Sequence, residues 1–286
     1  MKKIRVLFTG RESTAWTAVS RLAGAECRVS RVDPEEPLVE WRPGDAPDCI
    51  IAGPELSPES VQRLCRHVKF HDEFNRIAVL VLRRQVPPPV PTRHMRVEAD
   101  RYLCWPGCRD QLADSPDQVI RTVRARAEEG IRFYLEALIP SDREVLGEVA
   151  QVLEPVLWHS RLPESAAERV RYAVLEVGLN AIEWGNQFER NRGVRFCFSI
   201  YGDRFTARVA DEGSGFDVEV TDRTEQAPEV EAQMRARKEA GVRFGGYGIR
   251  VCRKFVDELH YNETGNEVIL TRYLPGAKPQ TPQNRE

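Results

Sequence analysis

Residues 174–187 read VLEVGLNAIEWGNQ. Their apolar members recur at helical spacing, and the pattern predicts a helix over residues 164–186. Glu176 and Asn180 stand four residues apart, so a carboxylate and an amide share one face, one turn from each other. By itself the pair also fits a solvated face or a hydrogen-bonded core amide. The chain further downstream decides between these readings, and with them the fold.

Downstream, residues 194–200 and 205–209 alternate apolar and polar side chains around Gly202 and Asp203, which is a hairpin signal. Next come DEGSGFD at residues 211–217 and a charged stretch rich in Ala, Glu and Arg. GGYGIRVCRKFVDEL, residues 245–259, then predicts a glycine-rich turn feeding a helix, and a last hairpin turns at Thr264, Gly265 and Asn266. Taken singly, a D-x-G-x-G is often only a turn, and G-x-G before a helix is common. In this order and spacing the three stretches resemble the nucleotide-binding boxes of the GHKL ATPases, the superfamily of gyrase, MutL and the sensor histidine kinases. The first box, E-x-x-x-N-A-x-x-x-G, matches Glu176, Asn180, Ala181 and Gly185. The second, D-x-G-x-G-F, matches Asp211, Gly213, Gly215 and Phe216. The third, G-x-G-I, matches Gly246, Gly248 and Ile249. The resemblance covers about residues 138–274 and implies an α/β sandwich with a mainly antiparallel sheet.

The resemblance also implies roles, with ATP and Mg²⁺ as the cofactors. Asn180 offers a carbonyl oxygen, a hard ligand for Mg²⁺ that also reaches ATP phosphates. Glu176, on the same face, contacts a water or an incoming hydroxyl as the catalytic carboxylate. Asp211 accepts a hydrogen bond from adenine's exocyclic amine, where guanine presents a carbonyl. Gly213 and Gly215 let backbone approach the nucleotide. Gly246 and Gly248 expose amides at a helix N-terminus, where phosphate is favoured. Arg243, just before the glycine turn, neutralises γ-phosphate charge or is an exposed arginine of the lid, which residues 217–244 form over ATP.

Sensor histidine kinases carry a phosphoacceptor His on a dimerisation helix before the first box. None of His67, His71, His94, His159 and His260 has that setting. The short form, with IPS at residues 139–141 and GNEVILTRYL at 265–274, resembles the anti-sigma-factor serine kinases of bacterial partner switching. That resemblance implies a homodimeric protein serine/threonine kinase. Its substrate is an anti-anti-sigma-type protein, and it sequesters a regulator; whether the regulator is a sigma factor stays open. A non-catalytic ATP-gated binding module, or a histidine-kinase-like ATPase, is the alternative. Two departures stand out. The family often has His where Trp184 stands, and Thr where Ile269 stands in the last hairpin.

The first half reads differently. Apolar strands are predicted at residues 4–8, 27–32, 49–52, 77–82 and 102–105, with amphipathic segments at 13–22 and 58–68 between them. This alternation predicts a parallel sheet covered by helices. The spacing resembles a response-regulator receiver domain, a flavodoxin-like fold, and ADRYLCWPG at residues 99–107 resembles its last strand and proline turn. The positions that would carry phosphotransfer hold Thr9 and Gly10, Gly53, Leu82 or Arg83, and Trp105. None supplies an acceptor carboxylate or a hard ligand set for Mg²⁺. The expectation is a degenerate receiver that works by contact. A linker helix comes next, with Ser115 and Pro116 as its start signal and Gly130 weakening its middle.

The two-domain division is therefore 1–115 receiver-like, 116–139 linker helix, 140–274 ATP-binding kinase domain and 275–286 flexible tail. The 286 residues suit about two domains. A net charge of −2 gives no general signal for nucleic acid. No apolar run approaches the ~18 residues that span a bilayer. Seven scattered cysteines, odd in number, fit buried thiols in a reducing cytoplasm.

Overall fold

The apolar runs of the first half pair side by side. A computed structural model describes residues 3–24, 27–33, 46–85, 90–215 and 247–277. Its chain forms two units, Met1–Pro88 with Val97–Leu135, and Pro89–Arg96 with Glu136–Glu286. In the first unit, β1 (Ile4–Thr9), β2 (Cys27–Val32), β3 (Cys49–Ala52), β4 (Ala78–Arg83) and β6 (Arg101–Cys104) form a sheet. The order is β2-β1-β3-β4-β6, and each neighbouring pair is parallel. This is the flavodoxin-like order, with its switch point between β1 and β3. β3 is buried at every position and β4 at all but its last, as expected of central strands covered on both faces. Edge strand β2 shows no fully buried residue. Phe8, Ile51, Leu80 and Leu82 form the core with Val19 of α1 (Ser13–Ser20), Leu112 of the short α3 (Arg109–Leu112), and Val119, Ile120 and Val123 of α4 (Ser115–Glu128).

The linker helix expected over 116–139 is a correction. α4 starts at Ser115 with Pro116 in its first turn, but it ends at Glu128 and packs into the first core. Gly130 adopts φ 84° and its N–H donates to Ala127 O, while the Ile131 N–H reaches back to Arg126 O at 2.9 Å. That is a glycine helix stop, because only the residue without Cβ takes the left-handed step cheaply. Beyond it, residues 133–140 are strand β7 (Phe133–Pro140), with Phe133, Leu135, Ala137 and Ile139 all buried.

At the switch point the receiver-type acceptor positions are filled from within. The Glu55 carboxylate accepts the N–H groups of Arg11 and Glu12. A Cβ on Gly10 or on Gly53 would stand 2.7 Å from a Glu55 oxygen. The other end of the sheet holds a buried ion pair. Lys69, from α2 (Pro58–Phe70), meets Asp100 at 2.6 Å, and Asp100 also accepts from the Val79 N–H and from Arg126.

The second unit centres on a six-stranded sheet in the order β10-β11-β9-β8-β7-β5. Its strands, besides β7, are β5 (Arg96–Val97), β8 (Gly193–Ile200), β9 (Arg204–Ala210), β10 (Glu258–Tyr261) and β11 (Glu267–Tyr273). The β8–β9, β9–β11 and β10–β11 pairs are antiparallel. α5 (Arg143–Ser160) and α6 (Glu164–Asn180) cover its inner face. α6 comes close because of Gly178, where a Cβ would meet Phe196 of β8 at 2.8 Å and Leu146 of α5 at 3.0 Å. Asp142 caps α5 by accepting the Glu144 N–H, leaving Ser141 for another task. Among the described residues, no helix is long and apolar enough to cross a membrane.

Candidate functional site

α6 carries Glu176 and Asn180 on the face turned toward α7 (Tyr247–Phe255). The two helices are packed tightly. Cys252 of α7 is fully buried and its thiol lies 3.7 Å from Ala173 O, and the Tyr172 and Phe255 rings meet edge to face. Burial pushes the Cys252 thiol up to about 12, with the nearby Glu176 carboxylate adding to the effect, so it is no nucleophile at neutral pH. Glu176 is itself buried, against the first turn of α7. A Cβ at Gly248 would lie 1.9 Å from Glu176 Oε1. The glycine of the third box thus lies directly against the carboxylate of the first. Asn180, in the last turn of α6, is partly exposed.

From Asn180 the helix widens into one π turn, Ala181–Gly185, closed by the Asn186 N–H donating to Ala181 O at 2.8 Å. Such turns insert one residue and re-aim the side chains beyond them. Here it sets Gly185 against the second box. A Cβ at Gly185 would meet the Asp211 carboxylate at 2.4 Å, and one at Gly213 would meet Gly185 O at 2.2 Å. The Gly213 N–H donates to Asp211 Oδ1 at 2.8 Å. Gly215, at φ 73°, lies against the last hairpin, where a Cβ would strike Thr264 O at 1.8 Å. Burial raises the Asp211 carboxyl above the ordinary aspartate value, against the pull of the Gly213 N–H and of Arg192.

The structure therefore brings Glu176 to Gly248, and Asp211 to Gly185 and Gly213. Gly246, Arg243, Phe216 and the expected lid lie outside the described residues. Asn180, one helical turn from Glu176 and partly exposed as a residue, carries a side-chain oxygen of the hard type that Mg²⁺ takes. Among the described residues, no group of three or more His, Cys, Asp or Glu side chains is placed to hold a metal.

Sequence reasoning missed two asparagines. Asn186 is fully buried: its Oδ1 accepts the Glu212 N–H at 2.9 Å, and its Nδ2 donates to Ser141 Oγ and Gly193 O, both at 2.9 Å. Asn266 accepts the Asp211 N–H through its backbone carbonyl and approaches Gly213 O through its side-chain amide. It is Asn266, therefore, that meets the Asp211 loop at the last hairpin. Ile269, where the family often has Thr, is 38% exposed and alternates with the buried Val268 and Leu270, so it points to the face opposite theirs. Trp184 is half exposed on the π turn.

The second unit has relatives among known proteins. Residues 139–272 match the family model of the histidine kinase-like ATPase domain. The serine-protein kinase RsbW of Bacillus subtilis (strain 168) is 25% identical over 146 residues, which cover 51% of this chain and 88% of that protein. RsbW of Listeria innocua serovar 6a is 32% identical over 114 residues, 38% of this chain and 67% of that protein. Among solved structures, the phosphorylated cyanobacterial phytochrome response regulator RcpA aligns at 13% identity. The match covers 43% of this chain and 93% of that one, with a TM-score of 0.30.

Proposed function

The chain belongs to the RsbW family of serine-protein kinases, built on a histidine kinase-like ATPase domain, and on that premise we propose that it transfers the γ-phosphoryl group of ATP to a serine or threonine of a small anti-anti-sigma-type protein. In this reading Asp211 takes the exocyclic amine of adenine. Asn180 holds Mg²⁺ on the phosphates, and Glu176 orients the attacking hydroxyl and takes its proton. Gly213 and Gly215 admit the nucleotide to the backbone, Gly246 and Gly248 offer amides to phosphate, and Arg243 adds positive charge. Mg²⁺, when bound, supplies neutralisation of phosphate charge, which is most of what such a transfer asks of its site. The same protein sequesters a regulator, works as a homodimer and acts in the cytoplasm. Its seven free cysteines support a reducing compartment.

The observation that carries the reading is the meeting of the boxes: a glycine of the third lies against the carboxylate of the first, and the last glycine of the first against the carboxylate of the second. One observation favours the second reading, an ATP-gated binding module without transfer. Glu176 lies at the first turn of α7, where a helix's positive end holds an anion with no reaction to perform.

Single-turnover transfer from labelled ATP to candidate partner proteins separates the two, with ATP affinity measured by calorimetry. Asn180→Ala is expected to weaken Mg·ATP binding and lose transfer together. Glu176→Gln keeps the shape, and is expected to keep most ATP affinity while transfer falls about a hundredfold or more. Transfer by Glu176→Gln at the wild-type rate rules out the general base. A wild type that transfers to no bound partner, while ATP still shifts partner affinity, establishes the binding module.

A further inference from the structure

Asn186 makes three of the four hydrogen bonds its amide can form, at a place no solvent reaches. Oδ1 takes the Glu212 N–H, and the two Nδ2 hydrogens go to Ser141 Oγ and to Gly193 O. Ser141 is held in turn, since its Oγ and N–H both donate to Arg192 O. Turning the amide over would set NH₂ against the Glu212 N–H and oxygen against the Gly193 carbonyl, two repulsive contacts in a dry site. The orientation is therefore fixed, and with it the height of the Glu212 N–H. Asp211 is the residue before. Its carboxylate has little room, with Gly185 on one side and the Gly213 N–H on the other. A small shift of the Glu212 backbone must move that carboxylate.

We propose that Asn186 is a positioning residue for base recognition: its buried amide, braced by Ser141 and Gly193, fixes the backbone after Asp211 and so sets the preference for adenine over a purine with a carbonyl at the same ring position. The inference rests on the reading of Asp211 as the adenine contact. It assigns specificity to a side chain that touches no nucleotide. It also gives Ser141, at the entry to α5, a part in the same device.

The experiment compares ATP with inosine triphosphate, which differs in carrying a carbonyl where adenine has its amine. Affinities of the full-length chain are measured by calorimetry, and folding by thermal melting. In the wild type ATP binds more tightly. In Asn186→Ala the ATP preference is expected to fall by about tenfold, the size of one lost buried polar contact, while affinity for the inosine nucleotide changes little. Ser141→Ala, which leaves the Glu212 contact in place, is expected to fall between. Because Asn186→Ala removes a buried group, Asn186→Asp serves beside it: it keeps an acceptor for Glu212 but loses the donors to Gly193 O and Ser141 Oγ. The decisive test is the double variant with Asp211→Ala, in which the Asn186 substitution should have no further effect on ATP preference, since the group it positions is gone. Folded Asn186 variants that retain the wild-type preference, or effects that add to those of Asp211→Ala, overturn the proposal and leave Asn186 a core amide. A wild type indifferent between the two nucleotides overturns the role of Asp211, and this inference with it.

Discussion

At the scale of the residue, Asp211 shows how stability and recognition pull apart. Burial raises its carboxyl above the ordinary aspartate range. A folded value above the unfolded one means that the ionised group costs stability at neutral pH, and that this cost disappears as pH falls through the folded value. Asp211→Asn removes the charge, so its melting temperature at pH 7 should equal or exceed that of the wild type, with the difference shrinking in acid. Recognition should go the other way. The Gly213 N–H pins Oδ1, so the substituted amide turns its NH₂ toward the base. That group opposes adenine's amine and suits a carbonyl, so ATP affinity should fall about tenfold and the inosine nucleotide should gain. Melting curves at two pH values with parallel calorimetry check both halves. A variant less stable at pH 7 that still prefers ATP contradicts them. The glycines around Asp211 were legible as a spacing, since each is a letter of a box. Asn186 was not. A polar residue after a glycine at a helix end reads as a turn, and its partners Ser141, Gly193 and Glu212 are brought to it only by the fold.

At the scale of the element, most strands and helices could be read from alternation and apolar runs to within a residue or two, and β7 shows why one could not. Ile131, Leu135 and Leu138 are spaced four and three apart and continue the helical pattern of Val119 and Val123. The strand reading of the same stretch, Phe133, Leu135, Ala137 and Ile139, is equally present, and Gly130 decides for it by ending α4 with a left-handed step. The π turn left no sequence signal, because one extra residue in a helix changes no letter. α2, β4 and α4 also share the buried pair Lys69–Asp100. Burial pushes the Asp100 carboxyl up, but Lys69, the Val79 N–H and Arg126 outweigh it, and the group ends below its ordinary value. A folded value below the unfolded one contributes stability above the unfolded value and loses it as pH falls through the folded one. Asp100→Asn leaves the Lys69 ammonium buried without its counter-charge and should cost about 3–5 kcal/mol at neutral pH. Chemical denaturation should show that gap closing in acid, where wild-type Asp100 is protonated as well. Equal stability at neutral pH would mean that the network is dispensable.

At the scale of the molecule, the first unit keeps a receiver's strand order without its chemistry. Thr9, Gly10 and Gly53 stand where carboxylates would be needed, and the Glu55 carboxylate fills the crevice between the ends of β1 and β3. Treatment of the full chain with acetyl phosphate and Mg²⁺ should therefore leave the mass of its N-terminal peptides unchanged; a stable acyl phosphate there would refute that reading of the crevice. The second unit is built from two separate stretches, Pro89–Arg96 and Glu136–Glu286. Val90 approaches the backbone of Gly193, and the Met95 N–H donates to Glu148. On the ribosome, Val90 and Met95 emerge well before the surfaces that cover them exist, and they must wait while the rest of the first unit is made. A single gene junction placed between β5 and β7 leaves part of the second unit's wall behind, because Val90 and Met95 lie upstream of it. A gene fragment that carries the second unit whole must therefore begin before Pro89 and take β6, α3 and α4 of the first unit with it.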